Sequence, residues 1–307
     1  MKIAFFGECM VELSGEPLRK TFGGDTLNTA LYLARLGQRR GIQVSYATGL
    51  GDDQLSSDMK SHWQDEQIET NLVETIVGKQ PGLYLVETDA SGERTFLYWR
   101  ENSAARHYFS LVATKLEIAL ATNQFDAFYV SGISIAILDD SARERLLSAI
   151  TSFKSRGGKV IFDNNFRPQL WSTAEAKHWY QAILPHVDIA LMTEDDDVMI
   201  WGNEELVESR CQRLGVSELV IKRGHEPCKV VADLQSDVPT ASYVAATLVA
   251  NVVDTCAAGD SFAAGYLAAR LTGESGDDAA LLGHKLASTV IQHPGAVIPL
   301  GAMDHLI

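Results

Sequence analysis

The chain has 307 residues, 46% hydrophobic and 21% charged, which is the balance of a globular protein with a sizeable core rather than a disordered one. Its 26 basic residues against 40 acidic ones leave a formal charge of -14 with no dense Lys/Arg block, which disfavours a nucleic-acid or anionic-membrane partner. Any anionic ligand must then be held by local features.

In chain order, KIAFFG at 2–7 reads as a buried strand ending in a turn. Leu27, Ala30, Leu31 and Ala34 recur at helical spacing over 26–36, and Gly37 serves as a stop. IQVSYATG, FDAFYVSG, GKVIFDNN, VDIALMT and ELVIKRG read as further buried strands, with helices expected near 140–155, 173–183, 204–213, 261–272 and 278–292. Strands alternating with helices favour a mostly parallel sheet covered on both faces. One region breaks this rhythm: GLYLVETDASGERTFLYWR, 82–100, reads as an antiparallel hairpin around the turn DASGE. Phe96, Tyr98 and Arg100 share one face of its second arm by the two-residue period. That face is either solvated or the inner side of a lid over a polar ligand.

Cys9, Cys211, Cys228 and Cys256 form no CxxC pair and the eight His residues no HExxH-type spacing, so no zinc cluster or redox motif is expected. Reduced thiols fit the cytoplasm. So do an N-terminal apolar run broken by Glu8 and the lack of any membrane-length apolar segment.

Two glycine turns precede helices. In DTCAAGDSFAAG, 254–265, small residues at 257–259 allow close backbone approach, and a helix start presents unpaired N–H donors to an anion. Asp260 stands at that junction, either as a helix cap or as an acid acting on the anion. In FGGDTLN, Asp25 and Asn28 flank the other helix start, again as caps or as partners for ligand hydroxyls. Neither turn is a P-loop or a dinucleotide fingerprint.

Taken with their order, the GGDxxN start, the hairpin and the DTxxAGDxFxxG segment resemble the PfkB (ribokinase-like) carbohydrate kinase family over nearly the whole chain. The resemblance implies an α/β fold with a mostly parallel central sheet, helices on both faces and a small antiparallel β lid. It implies one domain over 1–307, with the lid contributed by about 11–22 and 82–100. It also implies transfer of the γ-phosphoryl group of ATP to a sugar hydroxyl, with Asp260 as general base and the amides of Ala257, Ala258 and Gly259 as the anion hole. Mg²⁺ would bridge phosphate oxygens. Members often respond to K⁺ as well, which these residues do not decide. Pairing of lids implies a homodimer.

Within the family, GGDTLN, Tyr84, YWREN at 98–102, DNNFRPQLW at 163–171 and TEDDDVMIWG at 193–202 are most similar to 2-keto-3-deoxygluconate kinases. That similarity assigns the sugar acid to Gly24, Asp25, Asn28, Tyr84, Tyr98, Arg100 and Arg167, and an Arg fork suits a carboxylate. It assigns ATP to Thr193, Lys222, Gly224, His284 and Ser288, and an indirect metal role to Asp196. Three departures stand out: Ala257 replaces a glycine, Pro227 replaces another, and the family's NxxE motif appears as Thr193 to Asp196. The rival readings are a fructokinase or other neutral-sugar kinase, and a catalytically silent sugar-binding regulator.

Overall fold

The computed structural model describes residues 1–88, 94–202 and 205–307. The expected DASGE turn and the start of the expected 204–213 helix lie outside the described residues. The central sheet runs in the order Ser242–Val244, Cys228–Val231, Glu218–Lys222, Ile189–Thr193, Lys159–Asp163, Ala127–Ser131, Lys2–Phe6, Gln43–Ala47, Ile68–Glu69. From Glu218–Lys222 to Ile68–Glu69 every neighbouring pair is parallel, and the two strands beyond Glu218–Lys222 pair antiparallel.

Burial on both faces explains the unbroken apolar runs of the strands. The two-residue period sends Ile3 and Phe5 into one core with the helices Asp25–Gly37, Ala258–Arg270 and Gly276–Val290. It sends Ala4 and Phe6 into the other, with Lys115–Ala121, Asp140–Ser155 and Thr173–Ile183. The helix Gln54–Asp65 was not legible in the sequence, because QLSSDMKSHWQD is largely polar. Only Ser56, Met59 and Trp63 bury along it, and Asp53 caps it through the Ser56 N–H at 3.1 Å.

A second sheet, in the order Arg19–Gly23, Met10–Ser14, Gly82–Thr88, Arg94–Trp99, forms the lid. Each outer pair is antiparallel, while Met10–Ser14 and Gly82–Thr88 run parallel because the chain crosses the core between them. No described helix is long and apolar enough to cross a membrane.

The helices Ala258–Arg270 and Gly276–Val290 meet backbone to backbone. A Cβ on Gly265 would lie 2.8 Å from the Gly283 Cα, and one on Gly283 would lie 2.8 Å from the Phe262 carbonyl oxygen. Gly265→Ala is therefore expected to lower the urea midpoint by an amount worth about 1–3 kcal/mol, since overpacking outweighs the alanine's better helix propensity. An unchanged or raised midpoint would show that the two helices are not in such close contact.

Candidate active site

The expected residues converge at the carboxyl ends of the parallel strands, where ligands of open α/β sheets bind. Asp260 is the third residue of its helix, whose cap position is Ala257 and carries no side-chain cap bond. Capping is thus not its role. Instead its Oδ2 accepts a 2.9 Å hydrogen bond from Asn28 Nδ2, a residue 232 positions away in the chain. Burial, and next the nearby Asp25 charge, push its pKa up to about 7, against the opposing pull of Asn28 and Lys222.

Asp25 opens the other helix, and its Oδ2 accepts from Asn165 Nδ2 at 2.8 Å. Burial raises its pKa, and the charge of Asp163 adds to that. Asp25 Oδ1 and Asn28 Oδ1 are both buried with no hydrogen-bond partner among the described residues. Such acceptors are uncommon in folded proteins and suit incoming hydroxyl donors. Gly24 has an extended φ of 166° and is required for another reason: a Cβ there would lie 2.3 Å from the Glu8 carbonyl oxygen.

Beside the turn expected to hold phosphate, Lys222 Nζ sits 2.6 Å from the buried Asp163 Oδ2, which also accepts from the Tyr129 hydroxyl at 3.3 Å. The space beside Gly259 is open, since a Cβ built there would meet only Lys222 Nζ, at 3.7 Å. Of the three amides expected to form the anion hole, that of Ala258 donates to the Thr255 carbonyl at 3.2 Å, so the turn itself occupies it. The Ala257 and Gly259 amides have no acceptor among the described residues. Ala257 adopts φ 57° and ψ 17°, the left-handed conformation that glycine takes freely and alanine only at a cost of about 1–2 kcal/mol.

The lid base is built around Glu8, which is 1% exposed. Its carboxylate accepts from Arg100 Nη2 and from Ser103 Oγ, and Gly82 leaves it room. Arg100, expected to hold a substrate carboxylate, is thus already ion-paired, although its Nε is buried without an acceptor. Tyr84 donates its hydroxyl to Glu12 and its ring lies tilted beside that of Tyr98 at 5.8 Å, so it supports the lid face. Tyr98 is 43% exposed, 5.9 Å from the Arg100 guanidinium, and close enough to Arg167 to feel its charge. Arg167 is half-exposed, donates to the Phe166 carbonyl at 2.7 Å and lies 3.8 Å from Asp196 Oδ2.

Among the residues expected to border the nucleotide, Thr193 is clasped by Asn164, whose Nδ2 donates to the Thr193 carbonyl while Oδ1 accepts its N–H. Gly224 is exposed with φ 61° in the turn after Lys222. His284 is buried, hydrogen-bonded to the Val244 carbonyl at 3.1 Å and packed edge-on to Phe262; burial lowers its pKa. Ser288 Oγ donates within its own helix to Lys285. Asp196 Oδ2 accepts the Phe166 N–H at 3.1 Å, and burial raises its pKa. His284 and Ser288 are thus committed to internal partners, whereas Gly224 and Lys222 border the open side.

A family model described as pfkB family carbohydrate kinase matches residues 2–302. The chain belongs to that family. It is 49% identical to a 2-dehydro-3-deoxygluconokinase of Dickeya dadantii and 46% identical to one of Escherichia coli K12, each alignment covering 98% of both chains. A Klebsiella pneumoniae fructokinase is 27% identical over 99% of this chain and 96% of its own. Among solved structures, a 2-dehydro-3-deoxygluconokinase of Thermotoga maritima shares the fold with a TM-score of 0.80, at 22% identity and covering 100% and 98% of the two chains.

Sequence reading did not name Glu8, Ser103, Asp163 or Asn165 as site residues, and the structure brings them into the candidate site. Glu8 had a local signal, since it interrupts an apolar run that ends buried. Asp163 and Asn165 lay within the DNNFRPQLW segment already singled out, but the link of Asn165 to Asp25 spans 140 positions and was not legible there. From the left-handed turn, Ala257→Gly is expected to leave stability unchanged or raise it by up to about 1 kcal/mol. Ala257→Val should lower it by more than about 1 kcal/mol, both measured by chemical denaturation. Equal effects would mean that the turn is not left-handed.

Proposed function

We propose that this pfkB-family kinase transfers the γ-phosphoryl group of ATP to the 6-hydroxyl of 2-keto-3-deoxygluconate, giving 2-keto-3-deoxy-6-phosphogluconate and ADP. The observation that carries the reading is Asp260, held by Asn28 and with its pKa pushed up to about 7, next to two open amides and Lys222. Such a carboxyl is poised to take the proton of an attacking hydroxyl near neutral pH. Asp25 Oδ1 and Asn28 Oδ1 accept sugar hydroxyls, Tyr98 covers the sugar, and Arg100 and Arg167 face its acid end. Lys222 with the Ala257 and Gly259 amides offsets charge on the transferring phosphate. Mg²⁺, when bound, neutralises phosphate oxygens. The open amides of Ala257 and Gly259 would hold a metal-bound phosphate, and Asp196, whose carboxyl feels Lys222, is an acid on that side with Asp163. Thr193 and Gly224 border the nucleotide, with His284 and Ser288 supporting its wall.

The sugar acid is supported by the two relatives above 45% identity. The Glu8–Arg100 pair favours a neutral sugar as the second reading, because it leaves Arg100 without free charge. A coupled ADP-release assay decides between them: turnover of 2-keto-3-deoxygluconate over fructose supports the proposal, preference for fructose replaces it, and no turnover with either refutes it.

Asp260→Asn should lose turnover by at least about 10²-fold while still binding ATP. In the parent, kcat/KM should rise with pH through about 7, because the base acts ionised. The raised pKa also means that this group's contribution to stability is present below the ordinary aspartate value and lost as pH rises towards about 7, so Asp260→Asn should lose less stability between pH 4 and about 7 than the parent. A flat kcat/KM profile, or near-normal turnover of the variant, removes Asp260 from the reaction.

The lid also supports a homodimer. Leu97 and Trp99 project from its outer face at 40% and 56% exposure, beside Leu83 and Leu85. Trp99→Glu should shift the sedimentation coefficient from dimer to monomer, and a monomeric parent would dispose of the dimer.

A further inference from the structure

Asp25 Oδ1 and Asn28 Oδ1, the two open acceptors of the site, stand three residues apart at the start of one helix and so share a face. In each residue the other terminal atom is already engaged. Asn28 Nδ2 donates to Asp260 Oδ2 at 2.9 Å, so Asn28 is aimed by the base itself. Asp25 Oδ2 accepts at 2.8 Å from Asn165 Nδ2, a residue that no step of the proposed reaction uses.

Asn165 is built as a fixed arm. It lies two residues past the strand Lys159–Asp163, and both residues before it are tied to other elements: Asp163 Oδ2 meets Lys222 Nζ at 2.6 Å, and the Asn164 side chain bonds the N–H and the carbonyl of Thr193. The Asn165 N–H donates to Asn164 Oδ1 at 3.0 Å, and the residue is buried with a positive φ of 20°. Outside glycine a positive φ carries a cost and persists where the surroundings over-determine it, and asparagine bears it better than most residues. The donor type matters as well. A guanidinium would pair with both carboxylate oxygens and take Oδ1 away from a substrate, whereas this amide nitrogen holds Oδ2 and leaves Oδ1 open. Ser131 also faces Asp25, but its hydroxyl caps the helix Gly132–Ala136 through the Ser134 N–H at 3.2 Å.

We infer that Asn165 is a positioning residue for the sugar: it pins Asp25 Oδ2 so that Oδ1 receives a substrate hydroxyl, and it acts on the reaction through Asp25. That role rests on the kinase reading of the site but not on which sugar the site takes.

The probe is whichever of 2-keto-3-deoxygluconate and fructose the parent turns over better. Steady-state kinetics, calorimetric sugar binding and melting temperatures are compared for the parent, Asn165→Gly, Asn165→Asp, Asp25→Ala and the double variant of Asp25→Ala with Asn165→Gly. Glycine accepts the positive φ and removes the amide, while aspartate keeps the size and replaces the donor with a like charge. Asn165→Gly should raise KM and Kd for the sugar by about 10-fold or more, the size of a lost hydrogen bond to a charged group, with KM for ATP within about 2-fold of the parent. Asn165→Asp should lose at least as much. Over Asp25→Ala, adding Asn165→Gly should change kcat/KM for the sugar by less than about 2-fold, because the partner it acts through is gone. A folded Asn165→Gly protein with sugar Kd within about 2-fold of the parent overturns the inference, as does a loss that falls on ATP instead of the sugar or that persists in full over Asp25→Ala. If Asn165→Gly does not fold, Asn165→Asp decides: a loss confined to the sugar supports the role, and parent-like sugar affinity in a folded protein overturns it. A parent that turns over neither sugar fails the proposed function and takes this role with it, and that outcome is seen before any variant is made.

Discussion

Three carboxylates, Asp25, Asp163 and Asp260, are held together at the strand ends with one lysine among them, and the rest of the site is arranged around that crowding. Each acid has a specific partner: Asn165 for Asp25, Lys222 and Tyr129 for Asp163, Asn28 for Asp260. These partners come from four separate segments, so the cluster exists only when the sheet is closed. Asp163 takes the one cation in direct contact. Asp260 is left with a neutral donor, and its burial first and the like charge of Asp25 next push its pKa up to about 7.

The lid is tied to the same region by a second buried acid. Glu8 follows the first strand of the core, and its carboxylate reaches Arg100 at the end of the lid and Ser103 just beyond. Gly24 and Gly82 are small because the backbone and carboxylate of Glu8 pass so close to them. The helix start that presents Asp25 and Asn28 is therefore packed on the residue that anchors the lid. Movement of the lid relative to the core would have to strain or break the Glu8 contacts.

Much of the framework was legible beforehand. The six strands read from apolar runs are all present, and the 140–155 and 173–183 helices match their observed bounds. The Gly24, Asp25, Asn28 and Asp260 group was legible through motif order, and the structure joins it physically through the Asn28–Asp260 hydrogen bond. The polar Gln54–Asp65 helix was not, because three buried positions in twelve residues give a faint period. Ala258 shows the limit of reading an anion hole from composition: three small residues in a row suggest three free amides, yet the turn they form consumes one of them.

Sequence by itself determined the alternation of strand and helix, the two glycine turns and the acid at the second of them, since each depends on neighbours within a few residues. It left Asp260 between capping a helix and acting on a ligand, because both uses place Asp at a helix start. Tertiary structure removed the capping alternative by setting Ala257 at the cap and bringing Asn28, from the other end of the chain, to the carboxylate. It likewise decided that Ala257 occupies a left-handed turn and that Arg100 is already paired. A residue's charge is written in the sequence, but burial and partners fix what that charge can do, and they are supplied by segments that meet only in the folded chain.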